Sequence, residues 1–224
     1  MRMQWMQRAI LVVGLAAMAG ATAYAQTDVA LSVYGAFNGT TTGNNTIQSP
    51  SNAAGGLLEV RHISHPWFGY EGTYAYNRAN QNYSFGAVPL GAVCPSSGCT
   101  ITSGVVSANA HEVTGDYIAS LKLKLTGFRP FALAGGGLLL NVPSSGQTYC
   151  SPLITACTTV PTSNTTKPVF VYGAGVDWTL LPHIGLRLQY RGNLNKAPDL
   201  TKLFTSTGAF TQTAEPMIGA FFRF

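Results

Sequence analysis

The sequence predicts an all-β chain closed into an eight-stranded, antiparallel, up-and-down transmembrane β-barrel, and three observations predict it. Eight segments alternate apolar and polar residues with the period of two that sends successive side chains to opposite faces of a strand. The separators between them are alternately tight and long. Within the segments the charged residues fall on the non-apolar face and the apolar faces carry none, which suits a sheet whose outer surface meets lipid.

The first segment runs from about Asp28 to Asn38, with Val29, Leu31, Val33 and Phe37 on one face and Ala30, Ser32, Tyr34 and Ala36 on the other. The second, Ala54 to His62, turns Leu58 and Val60 outward and Glu59 and Arg61 inward. The third, Trp67 to Asn77, has an outer face of Phe68, Tyr70, Tyr74 and Tyr76 against Glu71, Thr73 and Ala75. The fourth, His111 to Leu123, sets Val113, Tyr117, Ala119, Leu121 and Leu123 opposite Glu112, Thr114, Asp116, Ser120 and Lys122. In the fifth, Pro130 to Leu140, Phe131, Leu133 and Leu139 are read as outward and Ala132, Ala134 and Gly136 as inward. The sixth, Pro168 to Thr179, places Phe170, Tyr172, Ala174, Val176 and Trp178 against Val171, Gly173, Gly175 and Asp177. The seventh, Ile184 to Gly192, opposes Ile184, Leu186, Leu188 and Tyr190 to Arg187, Gln189 and Arg191. The eighth starts near Gln212 and ends with Ile218, Ala220, Phe222 and Phe224 on one side and Gly219, Phe221 and Arg223 on the other.

Tight turns are expected at His62 to Pro66, Lys124 to Arg129 and Leu180 to His183. Long loops rich in Ser, Thr, Asn, Gly and Pro are expected at Gly39 to Ala53, Arg78 to Ala110, Asn141 to Lys167 and Asn193 to Thr211. Short turns at one end and long loops at the other are the pattern of an up-and-down membrane barrel.

Ahead of the barrel, Arg2 and Arg8 form a basic region, Ile10 to Ala21 an apolar core, and Ala23-Tyr24-Ala25 a small-residue cleavage site before Gln26. Residues 1–25 are therefore expected to be a cleaved secretion signal and residues 26–224 the barrel. Only 9% of residues are charged, which is unusual for a water-facing surface. The formal charge of +5 falls to +3 when Arg2 and Arg8 leave (5 − 2), too little and too scattered for nucleic-acid binding.

The whole chain after the signal resembles the small OmpA/OmpX-type outer-membrane barrels of bacteria. Trp67 to Asn77 (WFGYEGTYAYN), Arg129 to Gly137 (RPFALAGGG), Tyr172 to Trp178 (YGAGVDW) and the closing FFRF carry the likeness. The resemblance implies an outer-membrane location in contact with lipid and lipopolysaccharide. It also implies that Phe222 and Phe224 form the signal read by the barrel-assembly machinery. With no appended domain expected, function is assigned to the long loops, as adhesion or envelope interaction with an extracellular ligand, by a monomer with no cofactor and no catalytic residues.

Five inward acids (Glu59, Glu71, Glu112, Asp116, Asp177) and five inward bases (Arg61, Lys122, Arg187, Arg191, Arg223) predict a packed ion-pair network, because an eight-stranded barrel is only wide enough to be filled by its own side chains. A narrow pore is the competing reading. If the turn after the sixth segment centres on Pro182, Asp177 falls opposite Arg187. Cys94, Cys99, Cys150 and Cys157 allow three disulfide connectivities; one bridge per loop is expected, because each pair spans a short hairpin tip on an oxidising export route. His62-Ile63-Ser64 superficially offers a hydrolase pair, but it lies in a tight turn, away from an outer-leaflet substrate. His62, His65 and His183 are read as turn residues.

Overall fold

The computed structural model describes residues 26–65, 67–85, 103–121, 127–146, 148–150, 157–159, 161–202 and 204–224. Twelve strands form in chain order: β1 (Gln26–Asn38), β2 (Thr41–Gly43), β3 (Thr46–Pro50), β4 (Ala53–His65), β5 (Phe68–Phe85), β6 (Ser103–Ser120), β7 (Phe128–Gly146), β8 (Thr148–Cys150), β9 (Cys157–Thr159), β10 (Thr165–Thr179), β11 (Ile184–Lys196) and β12 (Phe210–Arg223). Eight of these, β1, β4, β5, β6, β7, β10, β11 and β12, pair with their neighbours in sequence, every pair antiparallel. The circle closes where β1 meets β12, Asp28 opposite Arg223 through Asn38 opposite Thr213. Closure leaves no open edge among the eight strands, the condition lipid imposes on a sheet.

Alternation decides what faces outward. Leu31, Val33, Leu58, Val113, Leu188 and Ile218 are exposed around the barrel's waist. Trp67, Phe68, Tyr70, Tyr117, Trp178 and Phe222 ring the end with the tight turns and the chain terminus; Phe37, Tyr74, Tyr76 and Tyr190 ring the other. An apolar band between two aromatic girdles is the exterior of a membrane barrel. Tyr74 and His111 are joined by a 2.8 Å hydrogen bond within the second girdle.

The fifth predicted segment comes out with its faces exchanged. Phe131 and Leu133 point into the lumen, 5% and 4% exposed, whereas Ala132, Ala134 and Leu138 face outward. Both faces of this strand are apolar, so polarity gave no parity there. The inward set packs with Ile63, Ile118, Val169 and Val171 into the largest apolar cluster of the interior.

At the loop end the strands outrun the expected boundaries. β5 and β6 stay paired from the membrane band out to Ser84 opposite Ser103, and β7 continues to Gly146 opposite Val106. Here one face is buried, carrying Ala79, Gln81, Tyr83, Val106 and Ala108, and the other meets water rather than lipid, so the alternation that marks a lipid-facing strand is lost. The first long loop is also ordered. Thr41–Gly43 and Thr46–Pro50 form a hairpin about Asn44 and Asn45, at φ 49° and 59°, the left-handed pair that a two-residue hairpin turn demands and asparagine tolerates. β3 then adds to the outer end of β5.

Candidate functional site

The lumen is filled from the turn end upward. Asp177 lies opposite Arg187 on the inward face; the Arg187 Nε donates to Asp177 Oδ1 at 2.7 Å, and its Nη2 donates to Asp28 at 2.9 Å. Arg187 also comes within 3.5 Å of Glu59 and 3.6 Å of Glu71. Arg61 completes the network, 2.7 Å from Glu71 and 3.1 Å from Asp177, with its guanidinium 4.1 Å from the Phe131 ring centre. These groups are almost wholly shielded from solvent. Buried charges of this kind persist only when paired and hydrogen-bonded, since desolvating each ion costs several kcal/mol.

Nearer the loop end, Arg191 donates to Glu112 at 3.0 Å, and Asn193 Nδ2 donates to the other Glu112 oxygen at 2.9 Å. Asp116 accepts from Thr114 at 3.0 Å. Two further carboxylates complete the interior, Asp28 and Glu215, at 2% and 3% exposure. Their parity is legible: Asp28 lies near the start of β1, and Glu215 lies within β12 opposite Arg191, on the same face as Gly219, Phe221 and Arg223. With them the interior is not the balanced set of five and five. Arg223 lies only partly buried at the turn end, where it donates to Thr179 at 3.3 Å, and Lys122 lies outside the described residues.

The loop end is covered by the segment between β11 and β12, which the sequence predicts as a long irregular loop. Ala197 N donates to the Ala209 carbonyl at 3.0 Å, pinning the base of this cap. From there it crosses the mouth. Tyr83 on β5 and Gln48 on β3 both donate to the Pro198 carbonyl, at 3.0 and 3.2 Å, and Lys167 on β10 pairs with Asp199 at 2.8 Å. Leu200 and Phe204 bury against Tyr83, Val106 and Ala108, the Phe204 ring stacked 5.5 Å from Tyr83. Asn44 Nδ2 reaches the Ser206 carbonyl at 2.8 Å, and a Cβ on Gly43 would run into the Thr207 carbonyl. The apolar Leu200 and Phe204 within a polar run are the one signal in the sequence that this loop folds back.

Under the cap lies a polar cavity of about 60 Å³, lined by Glu112, Glu215, Asn77, Asn141, Asn193, Asn195 and Pro198 among others. The remaining predicted residues are dispersed. Phe222 and Phe224 project outward at the turn end, ring centres 5.2 Å apart, and His183 stacks on Phe222. His62 bonds to Thr27 at 2.9 Å rather than to Ser64. Cys150 and Cys157 stand opposite one another across the short β8–β9 ladder; Cys94 and Cys99 lie outside the described residues. Among the described residues no group of three or more His, Cys, Asp and Glu is arranged to hold a metal ion.

No protein-family model and no curated protein matches the chain. Solved structures do. Neisserial surface protein A is 12% identical with a TM-score of 0.51, over 88% of this chain and 97% of that one. The outer membrane protein OprG from Pseudomonas aeruginosa is 9% identical with a TM-score of 0.51, over 89% and 95%. Ail, the attachment invasion locus protein of Yersinia pestis, solved with the heparin analogue sucrose octasulfate, is 14% identical with a TM-score of 0.48, over 89% and 99%. At such identities the likeness to the first two is one of fold.

Proposed function

We propose that this chain, an eight-stranded bacterial outer-membrane barrel of the OmpA/OmpX type, is a sealed membrane anchor that presents an ordered extracellular face for recognition. The observation that carries the reading is the cap. Residues 197–202 and 204–209 bridge the mouth from β11 and β12 to β3, β5 and β10, above a lumen already occupied by Arg61, Arg187 and Arg191 with their carboxylates. A passive pore needs a continuous aqueous path, and this interior supplies ion pairs and packed side chains instead.

What remains available is the surface built by the outer ends of β5, β6 and β7 with the β2–β3 hairpin. Its hydroxyls and amides are fixed by cross-strand bonds, Ser107 Oγ to Asn80 Oδ1 at 2.6 Å and Asn82 Nδ2 to the Ser49 carbonyl at 2.9 Å. Binding residues are commonly carried on loops positioned by a rigid scaffold, and preordering lowers the entropy lost on binding. The role is non-enzymatic and belongs to a monomer in contact with lipid and lipopolysaccharide.

The test is a binding comparison on proteoliposomes carrying either the intact barrel or a barrel with its four loops cut back to the girdle. On arrays of glycans and matrix proteins the intact barrel is expected to retain ligands that the shortened one loses. Equal retention by both would assign binding to the barrel wall or lipid, and the reading would fail.

A further inference from the structure

The exterior wall of the barrel carries no acidic residue. Of the eight in the chain, Asp199 lies in the cap against Lys167 and all the others are buried in the lumen. Among the described residues two cations do stand on that wall, Arg78 on β5 and Lys196 on β11, both at the loop end. Lys196 is placed over the Phe210 ring, 5.8 Å from its centre. Arg78 shares the exterior parity of Tyr74 and Tyr76 and follows Tyr76 by one pleat, about 7 Å along the strand. It therefore sits just outside the aromatic girdle, at the depth of lipid headgroups.

The polar side chains around Arg78 present donors. Arg78 stands opposite Asn109 on β6, and Asn80, the next exterior residue on β5, stands opposite Ser107. The Tyr76 hydroxyl donates to Asn109 Oδ1 at 3.2 Å, and the Ser107 hydroxyl donates to Asn80 Oδ1 at 2.6 Å. Each amide oxygen is thus occupied by a hydroxyl, and the Nδ2 hydrogens are left for a ligand. A guanidinium flanked by two amide donors, on a wall without carboxylates, suits an anion with several oxygens, and the arginine fork matches phosphate in particular. Toward the bilayer centre the same two strands are bare. Gly72 lies opposite Gly115, between the Tyr74–Val113 and Tyr70–Tyr117 pairs. Beyond the chain neighbours of each glycine, no atom lies within 4 Å of the position a Cβ would take. This recess continues the site along the strands, where an acyl chain can lie against the backbone.

We propose that Arg78, Asn80 and Asn109 bind a phosphate of a phosphorylated, acylated glycolipid of the outer leaflet, with an acyl chain laid against Gly72 and Gly115. Arg78 supplies the charge and the fork, the two amides supply further hydrogen bonds, and the recess supplies the preference for a lipid over free phosphate. The inference rests on the lipopolysaccharide contact proposed above and names its headgroup site. A lipid held there becomes a fixed part of the wall beneath the outer ends of β5 and β6, which carry the recognition face.

The experiment uses the full mature barrel, refolded into detergent without lipopolysaccharide, its folding verified by gel mobility before and after boiling. Native mass spectrometry reads what is retained when phosphorylated lipid A, lipid A stripped of its phosphates, or inorganic phosphate is added. The wild type is expected to retain the phosphorylated lipid, and the stripped lipid at least about ten-fold more weakly, because charge-assisted hydrogen bonds are lost. R78Q should bring the phosphorylated lipid down to the level of the stripped one, the N80A/N109A double variant should fall between, and K196Q should match the wild type. Inorganic phosphate at the same concentration should neither be retained nor displace the lipid. Equal retention of the two lipids by the wild type would overturn the proposal even if R78Q fails to fold. Equal losses in R78Q and K196Q would overturn it too, as the mark of diffuse attraction to anionic headgroups. So would displacement by inorganic phosphate, which would make the site one for soluble anions. No extracellular ligand enters this assay, so its failure and that of the loop-shortening test are read separately.

Discussion

Asp177 is held by two guanidinium groups at once, Arg187 at 2.7 Å and Arg61 at 3.1 Å, so the pair read from turn symmetry is one side of a larger network. Removing one partner of a buried pair leaves an uncompensated charge and costs about 3–5 kcal/mol. Asp177→Asn and Arg187→Gln are each expected to destabilise the barrel by that order, and the double mutant by clearly less than the sum. A double-mutant cycle on urea unfolding in lipid vesicles reads the coupling; a value within error of zero would mean a wet, screening lumen. The exchanged faces of β7 give a second residue-scale test. Phe131→Ala removes a buried ring that lies under Arg61 and should cost about 3–5 kcal/mol, whereas Leu138→Ala, 58% exposed to lipid, should cost far less. The opposite order would restore the outward reading of Phe131.

At the scale of the element, legibility followed the solvent. Where one face meets lipid and the other a charged lumen, as in β4 with Leu58 and Val60 against Glu59 and Arg61, polarity alone assigns every side chain. It fails for β7, apolar on both faces, and for the outer ends of β5 and β6, where Arg78 to Ser84 pair with Ser103 to Asn109 with one face in water and the other buried under the cap. It also missed the cap, whose fold rests on long-range contacts such as Phe204 on Tyr83. Two elements carry their own expectations. Cys150 and Cys157, opposed across β8–β9, should be bridged to each other, as should Cys94 and Cys99; non-reducing peptide mapping that found free thiols or a bridge between the two loops would refute this. Phe224, 68% exposed and held at the closing seam by its amide to the Thr27 carbonyl, makes few buried contacts. Its deletion is expected to lower folded protein in cells while leaving refolding into detergent intact, and equal loss in both assays would reduce its role to packing.

Across the whole molecule, the inverted arrangement of an apolar exterior and charged interior, closed without an edge, means that the folded state is specified by lipid outside and ion pairs inside. The candidate site is half legible in the sequence: Glu112, Arg191 and the parity of the network follow from alternation, and Glu215 shares that inward parity within β12 although the inward set predicted from sequence does not include it; the cap that encloses the cavity is not legible, because an irregular loop carries no period. A barrel of this kind should migrate differently before and after boiling, and recovery of the mature protein from the soluble periplasm would contradict the membrane fold. The claim on which function turns is that the lumen is sealed, by its ion pairs below and by residues 197–202 and 204–209 above. Conductance of the purified barrel in planar lipid bilayers tests it most directly. A quiet baseline across the applied voltage range, with protein insertion verified by its gel mobility, is the predicted result; reproducible single-channel steps from the wild type would contradict it.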